Sequence, residues 1–532
     1  MAFVDSNLPL VTVDTGGVAI PNDPKIPATM RVLRDPAGGR TSLQSPAVFD
    51  GRVGIELRGH ASMGYPKKQY GFETRDATGS GIDVSLLGMP AEEDWILQGP
   101  YRDKLFFRNA FAYDLSNKIH RYAVRTRFVE AFIDETGVGP MSDHYAGVYV
   151  VMEKIKREAN RVNVDTLSGD AEPGVTGGWI LKIDKGDDPF FTTARGTRVL
   201  HVYPDGGDLT APQRSWIKKY FDDFETALAT PGADYAAFID VTSFVDYLIV
   251  NEVLKNIDAY RISTYMHKDR EARLEMGPVW DFDLSSTTTI RYGGANPAGW
   301  VVLENLGSDP YQRPFWWDRL LADENFVQQL VVRWNALRKT VLQIPALFAT
   351  VDAWAAQLDE AQARNYERWP NVLGVPLNDE PNAFPTFAGE VDEFKNFLRD
   401  RIAWIDGNVY RLFQGNVVVG RPTFLRVHKP GTRYGPPGDS MDVEVVVKLD
   451  ADPAAAFGCR LRSDGDEDSN RGMLDALRDA FNQSDLVRID YTVLGATSRE
   501  IVRVMKLPGP PTRRTKDGAF TGERPRQPAT SP

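Results

Sequence analysis

Predicted strands and helices are segregated along this chain, and their order limits the folds open to it. The first third contains short runs rich in β-branched and aromatic residues, such as LPLVTVDT, ATMRVL and VGIELRG, separated by Gly, Pro and Asp clusters. Amphipathic segments follow, including APQRSWIKKYFDDFETALAT and VTSFVDYLIVNEVLKNI. A strand-rich part followed by a helical part favours an α+β fold.

The composition changes after Gln414, where short strands resume around one helical segment, RGMLDALRDAF. We therefore predict a large domain over residues 1–415, a small β-barrel or sandwich of unknown role over 416–508, and a disordered tail over 509–532. The strand pattern of the small domain resembles an oligonucleotide/oligosaccharide-binding barrel. Its acidic run SDGDEDSN argues against nucleic acid.

Charge and composition exclude several classes of protein. The net charge of −11 comes without a long basic stripe, so we expect no nucleic-acid partner. The only cysteine, Cys459, excludes an internal disulfide and a thiolate metal cluster. No apolar run reaches the ~18 residues that span a bilayer. The first residues lack the basic and apolar regions of a signal peptide, so we expect a cytoplasmic protein or one whose leader has been removed.

Several catalytic motifs are missing from the sequence. Its six histidines come with no GxSxG elbow and no HExxH motif, which disfavours a nucleophilic triad and a zinc site. The glycine-rich motifs GxGxxG and GxxxxGK[ST] are also missing, which disfavours Rossmann and Walker nucleotide sites. The remaining candidates are sites built only from oxygen ligands, such as carboxylates.

The stretch GPVWDFDLSS carries two aspartates, Asp281 and Asp283, among apolar neighbours. TYMHKD and LEMGPVWDFD resemble a two-stranded hairpin, and on a strand residues i and i+2 share a face. Asp258, which we place at the end of the preceding helix, adds a third carboxylate. Such carboxylates suit a hard cation, Mg²⁺ or Mn²⁺, which commonly also binds phosphates. The alternative for a single DxD is a turn or a solvated strand edge.

The segment ELRGHASMGYPKKQYGF contains groups suited to phosphate binding. Arg58 precedes a loop with two glycines, and Lys67 and Lys68 follow it into a strand. Glu153, in YVVMEKIKRE, is a candidate ion-pair partner for the lysine. The alternatives are a surface position for the two lysines and a surface ion pair for Glu153 with its basic neighbours. The order of glycine loop, lysine, glutamate and aspartates is that of a protein-kinase-type phosphoryl-transfer enzyme.

At these residues the sequence resembles the spore coat protein H (CotH) kinase-like family. The resemblance runs from SNLPLVTVDT to RLFQG and is carried by RGHASMGYPKKQYGFETRD, DWILQGPYRDKLFFRNAFAYDL, GVYVVMEKIKREANRVNV, GGWILKIDK and NEVLKNIDAYRISTYMHKD. It implies a divergent protein-kinase-like fold with a β-rich N-terminal lobe and a helical C-terminal lobe. It also implies ATP- and Mg²⁺- or Mn²⁺-dependent phosphorylation of Ser or Thr on a protein partner.

The same resemblance assigns roles to individual residues. Lys68 matches the lysine that contacts the nucleotide phosphates, with Lys67 as its alternative, and Arg58 and Ser62 fall in the loop over the phosphates. Glu153 matches the glutamate of the family's GxYxxxE segment.

The aspartates follow the same pattern. Asp258 matches the catalytic aspartate, Asp281 the metal aspartate, and Asp283 its partner. Ala61 replaces a Ser of the family's loop, and Ser263 stands where many members carry an Asn metal ligand. A hydroxyl in that place puts full occupancy of a second metal site in doubt.

Two other functions fit the same residues. The first is ATP-dependent transfer to a sugar or lipid head group, or transfer of AMP instead of a phosphoryl group. The second is a non-catalytic scaffold or adhesion protein of a spore coat or cell surface. The retained Lys68, Glu153, Asp258 and Asp281 favour catalysis, since a scaffold has no need of carboxylates that repel each other. The family suggests a spore coat, cell-surface or secreted location, and the sequence leaves the oligomeric state open.

Overall fold

The computed structural model describes residues 3–186, 188–377, 379–413, 416–462 and 467–507. Its chain forms two compact units. The first contains Met1–Leu330 and Gln343–Val409, and the second contains Val331–Leu342 and Tyr410–Pro532. The boundary expected after residue 415 stays a prediction, and the predicted disordered tail lies outside the described residues.

A closed barrel of seven strands forms the first part of the first unit, in the order β1-β2-β3-β4-β5-β7-β6. The strands are β1 (Leu10–Asp14), β2 (Ile26–Leu33), β3 (Ala47–Leu57), β4 (Tyr70–Arg75), β5 (Asp94–Gln98), β6 (Thr126–Asp134) and β7 (Tyr145–Glu153). Helix α1 (Arg108–Lys118) connects β5 to β6. β1 pairs with β6 in parallel and closes the barrel. Alternate residues such as Val11 and Val13 fill its core, as the predicted strand pattern requires.

A second, five-stranded sheet has the order β12-β11-β8-β10-β9. Its strands are β8 (Trp179–Ile183), β9 (Phe190–Thr192), β10 (Arg198–Tyr203), β11 (Thr264–Lys268) and β12 (Leu274–Met276). The predicted hairpin of β11 and β12 is confirmed, with Met266 opposite Met276. Its second strand is shorter than predicted, because β12 ends before the DFD motif.

The described chain up to Asn408 contains six further α-helices. They are α2 (Ala211–Ala229), α3 (Val241–Leu254), α4 (Trp316–Ala322), α5 (Glu324–Arg338), α6 (Ile344–Arg368) and α7 (Phe387–Asn408). Sequence signals set where they begin: Thr210 and Gln213 form a capping box on α2, and the Asp240 carboxylate caps α3 by accepting from the Ser243 amide. No described helix is both long and apolar enough to cross a membrane.

The strands of the second unit form one six-stranded sheet in the order β13-β17-β18-β16-β15-β14. The elements are β13 (Val417–Gly420), β14 (Pro422–Val427), β15 (Val445–Leu449), β16 (Asp452–Cys459), α8 (Glu467–Gln483), β17 (Leu486–Val493) and β18 (Ser498–Leu507). Our prediction of a barrel or sandwich is wrong here. Leu477 and Ala480 of α8 are buried with Phe457 and Ile489 of the sheet, so a helix takes the place of a second sheet.

A fully buried ion pair joins two helices of the first unit. The Arg401 guanidinium of α7 and the Glu252 carboxylate of α3 are 2.7 Å apart, with 0% and 1% of their side chains exposed. Arg401 also donates to the Gly299 carbonyl at 2.6 Å, and Glu252 accepts from the Val302 amide at 2.8 Å. The pair therefore attaches the segment near residue 300 to both helices.

Replacing Arg401 by Met should strongly destabilise the first unit, because it leaves the Glu252 charge buried without its partner. We expect the free energy of unfolding to fall by about 3–5 kcal/mol. Urea unfolding followed by tryptophan fluorescence measures this, with Arg399→Met as control, since the Arg399 side chain is 53% exposed. Equal stability of the two variants would show that the buried pair does not hold the unit together.

Candidate functional site

Asp281 and Asp283 lie in the loop that follows β12, not on the strand. The strand ends at Met276, and Asp281 has a φ of +60°, in the left-handed region that Asp tolerates better than most residues. Strand alternation therefore does not place the two carboxylates, and our prediction of a shared strand face is wrong. They are nevertheless neighbours, since the charge of Asp281 raises the pKa of Asp283 after the larger effect of burial.

Helix α1 fixes the shape of this loop. The Asn109 side chain accepts a hydrogen bond from the Phe282 amide at 2.6 Å and donates one to Asp283 Oδ1 at 2.7 Å. One turn later, the Tyr113 hydroxyl accepts from the Asp281 amide at 3.3 Å, and its ring stacks on Trp280. Sequence reasoning missed Asn109 and Tyr113. Their i, i+4 spacing within FFRNAFAYDL is the signal that marks a shared helix face.

Asp258 lies in the loop beyond α3, which ends at Leu254 rather than at Asp258 itself. Its Oδ1 accepts from Arg261 Nη2 at 2.7 Å. Burial raises the pKa of Asp258, and the Arg261 charge opposes that rise. The carboxylate is therefore desolvated but held in one orientation by a neighbouring guanidinium.

Asp184 is a fourth carboxylate of the site, and sequence reasoning missed it. It follows β8 directly, and its Oδ1 accepts from the Ser263 amide at 3.2 Å. The Ser263 hydroxyl in turn donates to Asp281 Oδ2 at 3.5 Å. The available signal was the segment GGWILKIDK, whose strand pairs with β11 so that Ile183 lies opposite Thr264. That register brings Asp184 next to Ser263.

The site concentrates negative charge on partly buried carboxylates. Burial raises the pKa of Asp281, and the charges of Asp258 and Asp184 raise it further. Burial, then the charge of Asp281, raises the pKa of Asp283. Among the described residues, no Lys or Arg lies within ion-pair distance of Asp281 or Asp283. In such a place a carboxyl group keeps its proton to higher pH unless a cation stabilises its ionised form.

The donor set fits Mg²⁺ or Mn²⁺. Asp184, Asp281, Asp283 and the Ser263 hydroxyl offer oxygen atoms alone, as these hard ions prefer. Within the described part of the chain, no three site carboxylates have oxygens within 4.8 Å of one another. This spacing suits an ion that keeps waters or phosphate oxygens among its ligands, as Mg²⁺ usually does.

A second cluster of carboxylates, away from Asp281 and Asp283, meets this distance, but a lysine neutralises it. Oxygens of Glu92, Glu93 and Asp94 lie within 4.8 Å of one another. The Lys156 ammonium approaches all three, at 2.5, 3.0 and 3.1 Å. Lysine therefore already supplies the charge that a metal ion would bring there.

Part of the predicted glycine loop faces the site. The Arg58 guanidinium lies 5.7 Å from the centre of the Trp280 ring, and its charge lowers the pKa of Asp281 against the rise caused by burial. Ser62 sits in a helical turn over Ala61–Gly64. Gly59 is required beside it, because its φ is +104° and a Cβ atom would lie 2.0 Å from Ser62 Oγ.

The two adjacent lysines have different surroundings. Lys68 Nζ donates to the Met63 carbonyl at 2.6 Å, so it stays at the glycine loop. Lys67 is 1% exposed and donates to the Val148 carbonyl at 2.5 Å and to Asn365 Oδ1 at 2.8 Å. Burial lowers the pKa of Lys67. The predicted alternative role of Lys67 at the phosphates is therefore wrong, because its ammonium is buried and bound to Val148 of β7 and Asn365 of α6.

Glu153 does not pair with either lysine, and that prediction is also wrong. Its carboxylate accepts from Arg125 Nη2 at 2.7 Å, from the Arg125 amide at 2.9 Å and from the Tyr122 hydroxyl at 3.0 Å. The side chain is fully buried at the end of β7. Arg125 and Tyr122 thus meet its need for hydrogen bonds and charge.

Replacing Asp283 by Asn should stabilise the metal-free protein at high pH. The unfolded chain releases this proton near pH 4, whereas burial keeps it bound to the folded protein at higher pH. The folded state then binds more protons, so stability falls as pH rises above about 4. We expect Asp283→Asn to raise the free energy of unfolding at pH 8, by about 1.4 kcal/mol for each unit of raised pKa, and to have little effect at pH 4.

Urea unfolding in a metal chelator at both pH values measures this effect. Asp223→Asn is the matched control, because the Asp223 side chain lies on α2 and is 46% exposed. A less stable Asp283→Asn variant at pH 8 would mean that the Asp283 carboxylate is already compensated.

Comparison with known proteins identifies the family of this chain. The model of the family described as CotH kinase protein matches residues 55–405, about two thirds of the chain. No curated protein matches the chain. The matched residues contain the glycine loop, α1, β8 and both aspartate loops. The chain therefore belongs to the CotH kinase protein family.

Proposed function

We propose that this protein transfers the γ-phosphoryl group of ATP to a Ser or Thr hydroxyl of a protein partner, with Mg²⁺ or Mn²⁺. Membership of the CotH kinase family indicates a kinase-like transferase. The observation that carries the proposal is the partly buried pair Asp281 and Asp283, which has no Lys or Arg within ion-pair distance among the described side chains. The charges of Asp258 and Asp184 also act on Asp281. A metal ion with bound phosphates would compensate that charge.

In this proposal the barrel and α1 correspond to the β-rich lobe of a kinase, and helices α2 to α7 correspond to the helical lobe. Asn109 supports this correspondence, because it connects α1 to the DFD loop by two hydrogen bonds. A helix that holds the metal loop in place is a recurring part of kinase sites.

Asp281 and Asp283 would hold the metal ion, with Asp184 and Ser263 beside them. Bound there, the ion would neutralise charge on the ATP phosphates. The chain's own contribution is to keep the carboxylates in place through Asn109 and through the Ser263 amide on Asp184. Such positioning is what phosphoryl transfer mainly requires of a protein.

Asp258 would accept or orient the proton of the acceptor hydroxyl. Only 13% of its side chain is exposed, and Arg261 orients the carboxylate through Oδ1, which leaves Oδ2 for an acceptor hydroxyl. A base positioned in this way contributes about 10²–10⁴ to the rate.

Arg58, Ser62 and Lys68 would contact the phosphates from the glycine loop. The backbone of Lys68 lies against Gly99, next to Gln98, whose side chain reaches Asp283 at 3.5 Å. The glycine loop is therefore close to Asp281 and Asp283. We assign Glu153 an indirect role, through Arg125 and Tyr122, rather than a contact with the nucleotide.

The acceptor is the least constrained part of the proposal. A sugar, a lipid head group or AMP transfer would use the same carboxylates, and a spore coat or cell-surface location rests on the family name alone. A fold by itself does not fix an acceptor.

Transfer of labelled phosphate tests the proposal, with Asp258→Asn as the informative variant. We expect γ-labelled ATP with Mg²⁺ or Mn²⁺ to label the protein or an added acceptor protein. Asp258→Asn should lower turnover at least ~100-fold with ATP affinity nearly unchanged, because it removes the base but no metal ligand. The surface variant Asp223→Asn is the control and should match the wild type.

Three results would contradict the proposal. Transfer of label from α-labelled ATP would make the protein an AMP transferase. Full turnover in Asp258→Asn would place the base elsewhere. Lack of ATP binding in calorimetry would favour the scaffold.

A further inference from the structure

We propose that Lys185 contacts the transferred phosphoryl group and supplies the positive charge beside Asp258. The inference rests on the proposed function and adds a catalytic residue to it. Neither the spacing of the sequence motifs nor the family match assigns this lysine a role.

The position of Lys185 is fixed by its neighbour. Asp184 directly precedes it at the end of β8, and the Asp184 carboxylate accepts from the Ser263 amide at 3.2 Å. Ser263 also reaches Asp281 through its hydroxyl. Lys185 therefore leaves the sheet where the Asp258 loop and the metal loop meet.

Lys185 is partly exposed and lies near two carboxylates of the site. Its ammonium lies 5.4 Å from the centre of the Tyr311 ring. Its charge acts on both Asp258 and Asp309 and lowers the pKa of each against the effect of burial. Among the described carboxylates, none lies within ion-pair distance of Lys185, so its charge is available to a ligand.

The other cations near Asp258 are already engaged. Arg261 is 6% exposed and pairs with Asp258 at 2.7 Å and with Asp309 at 3.1 Å. The Tyr292 hydroxyl donates to the same Asp309 carboxylate at 2.6 Å and completes that network. Lys182, which lies on β8 itself, is paired with the Asp188 carboxylate at 2.8 Å.

Phosphoryl transfer needs such a cation. Negative charge on the transferred group is spread over its three equatorial oxygens, and a fixed positive charge there stabilises the transition state. In the transfer, the acceptor oxygen forms a bond to the γ-phosphorus as the bond to the β,γ-bridging oxygen breaks. The acceptor proton passes to Asp258, and ADP leaves with the bridging oxygen. Lys185 keeps its proton throughout and contributes charge alone.

Comparison of ATP with ADP tests this role in the full-length protein. If Lys185 contacts the γ-phosphate, Lys185→Ala should weaken Mg²⁺–ATP binding about tenfold or more and leave Mg²⁺–ADP binding within about twofold, as measured by calorimetry. It should also lower kcat about 10²–10³-fold, the usual effect of losing one transition-state contact. Lys185→Arg should restore part of kcat, whereas Lys185→Met, which keeps the stem without the charge, should lose as much as Lys185→Ala.

Lys219→Ala is the matched control, because Lys219 lies on α2 and its side chain is 73% exposed. Equal losses of ATP and ADP affinity in Lys185→Ala, or an unchanged kcat, would overturn the inference while leaving the proposed function standing. A wild-type protein that binds neither nucleotide would overturn both.

Discussion

Negative charge gathered in a partly buried site is the constraint on which the rest of this structure depends. Asp281 and Asp283 repel each other, and Asp258 and Asp184 add to that repulsion. The fold tolerates the arrangement because uncharged side chains fix the loop by hydrogen bonds. The Asn109 side chain accepts one from the Phe282 amide and donates one to Asp283. These side chains supply hydrogen bonds but no positive charge. A metal ion that also binds phosphates would supply that positive charge.

Buried charges elsewhere in the first unit serve the framework. Arg401 and Glu252 join α7 to α3, and Lys67 joins β7 to α6 through Val148 and Asn365. Each of these groups is almost fully enclosed and has its hydrogen-bond partners within the chain. A completed buried pair fixes geometry, whereas carboxylates without such partners are a candidate binding site.

The sequence predicted most strands of the barrel and the β11–β12 hairpin, because each depends on local patterns of residues. The oxygen-only metal site stays a prediction. The predictions failed where tertiary packing determines the position of a side chain. Strand β12 ends at Met276, so strand alternation does not reach Asp281, whose backbone is left-handed. The Lys67 side chain is buried instead of facing the phosphate loop. The Glu153 carboxylate pairs with Arg125 instead of with a lysine. Asp184 was missed because its neighbours come from a strand distant in the sequence.

The most direct test of Asp281 and Asp283 as metal ligands is electron spin resonance of Mn²⁺ bound to the full-length protein, with and without ATP. We predict that Mn²⁺ binds more tightly with ATP and shows coupling to phosphorus nuclei. This signal should be lost in Asp281→Asn but retained in the surface variant Asp223→Asn. Mn²⁺ bound equally well by Asp281→Asn, or without any phosphorus coupling, would contradict the assignment of these carboxylates to a metal–nucleotide site.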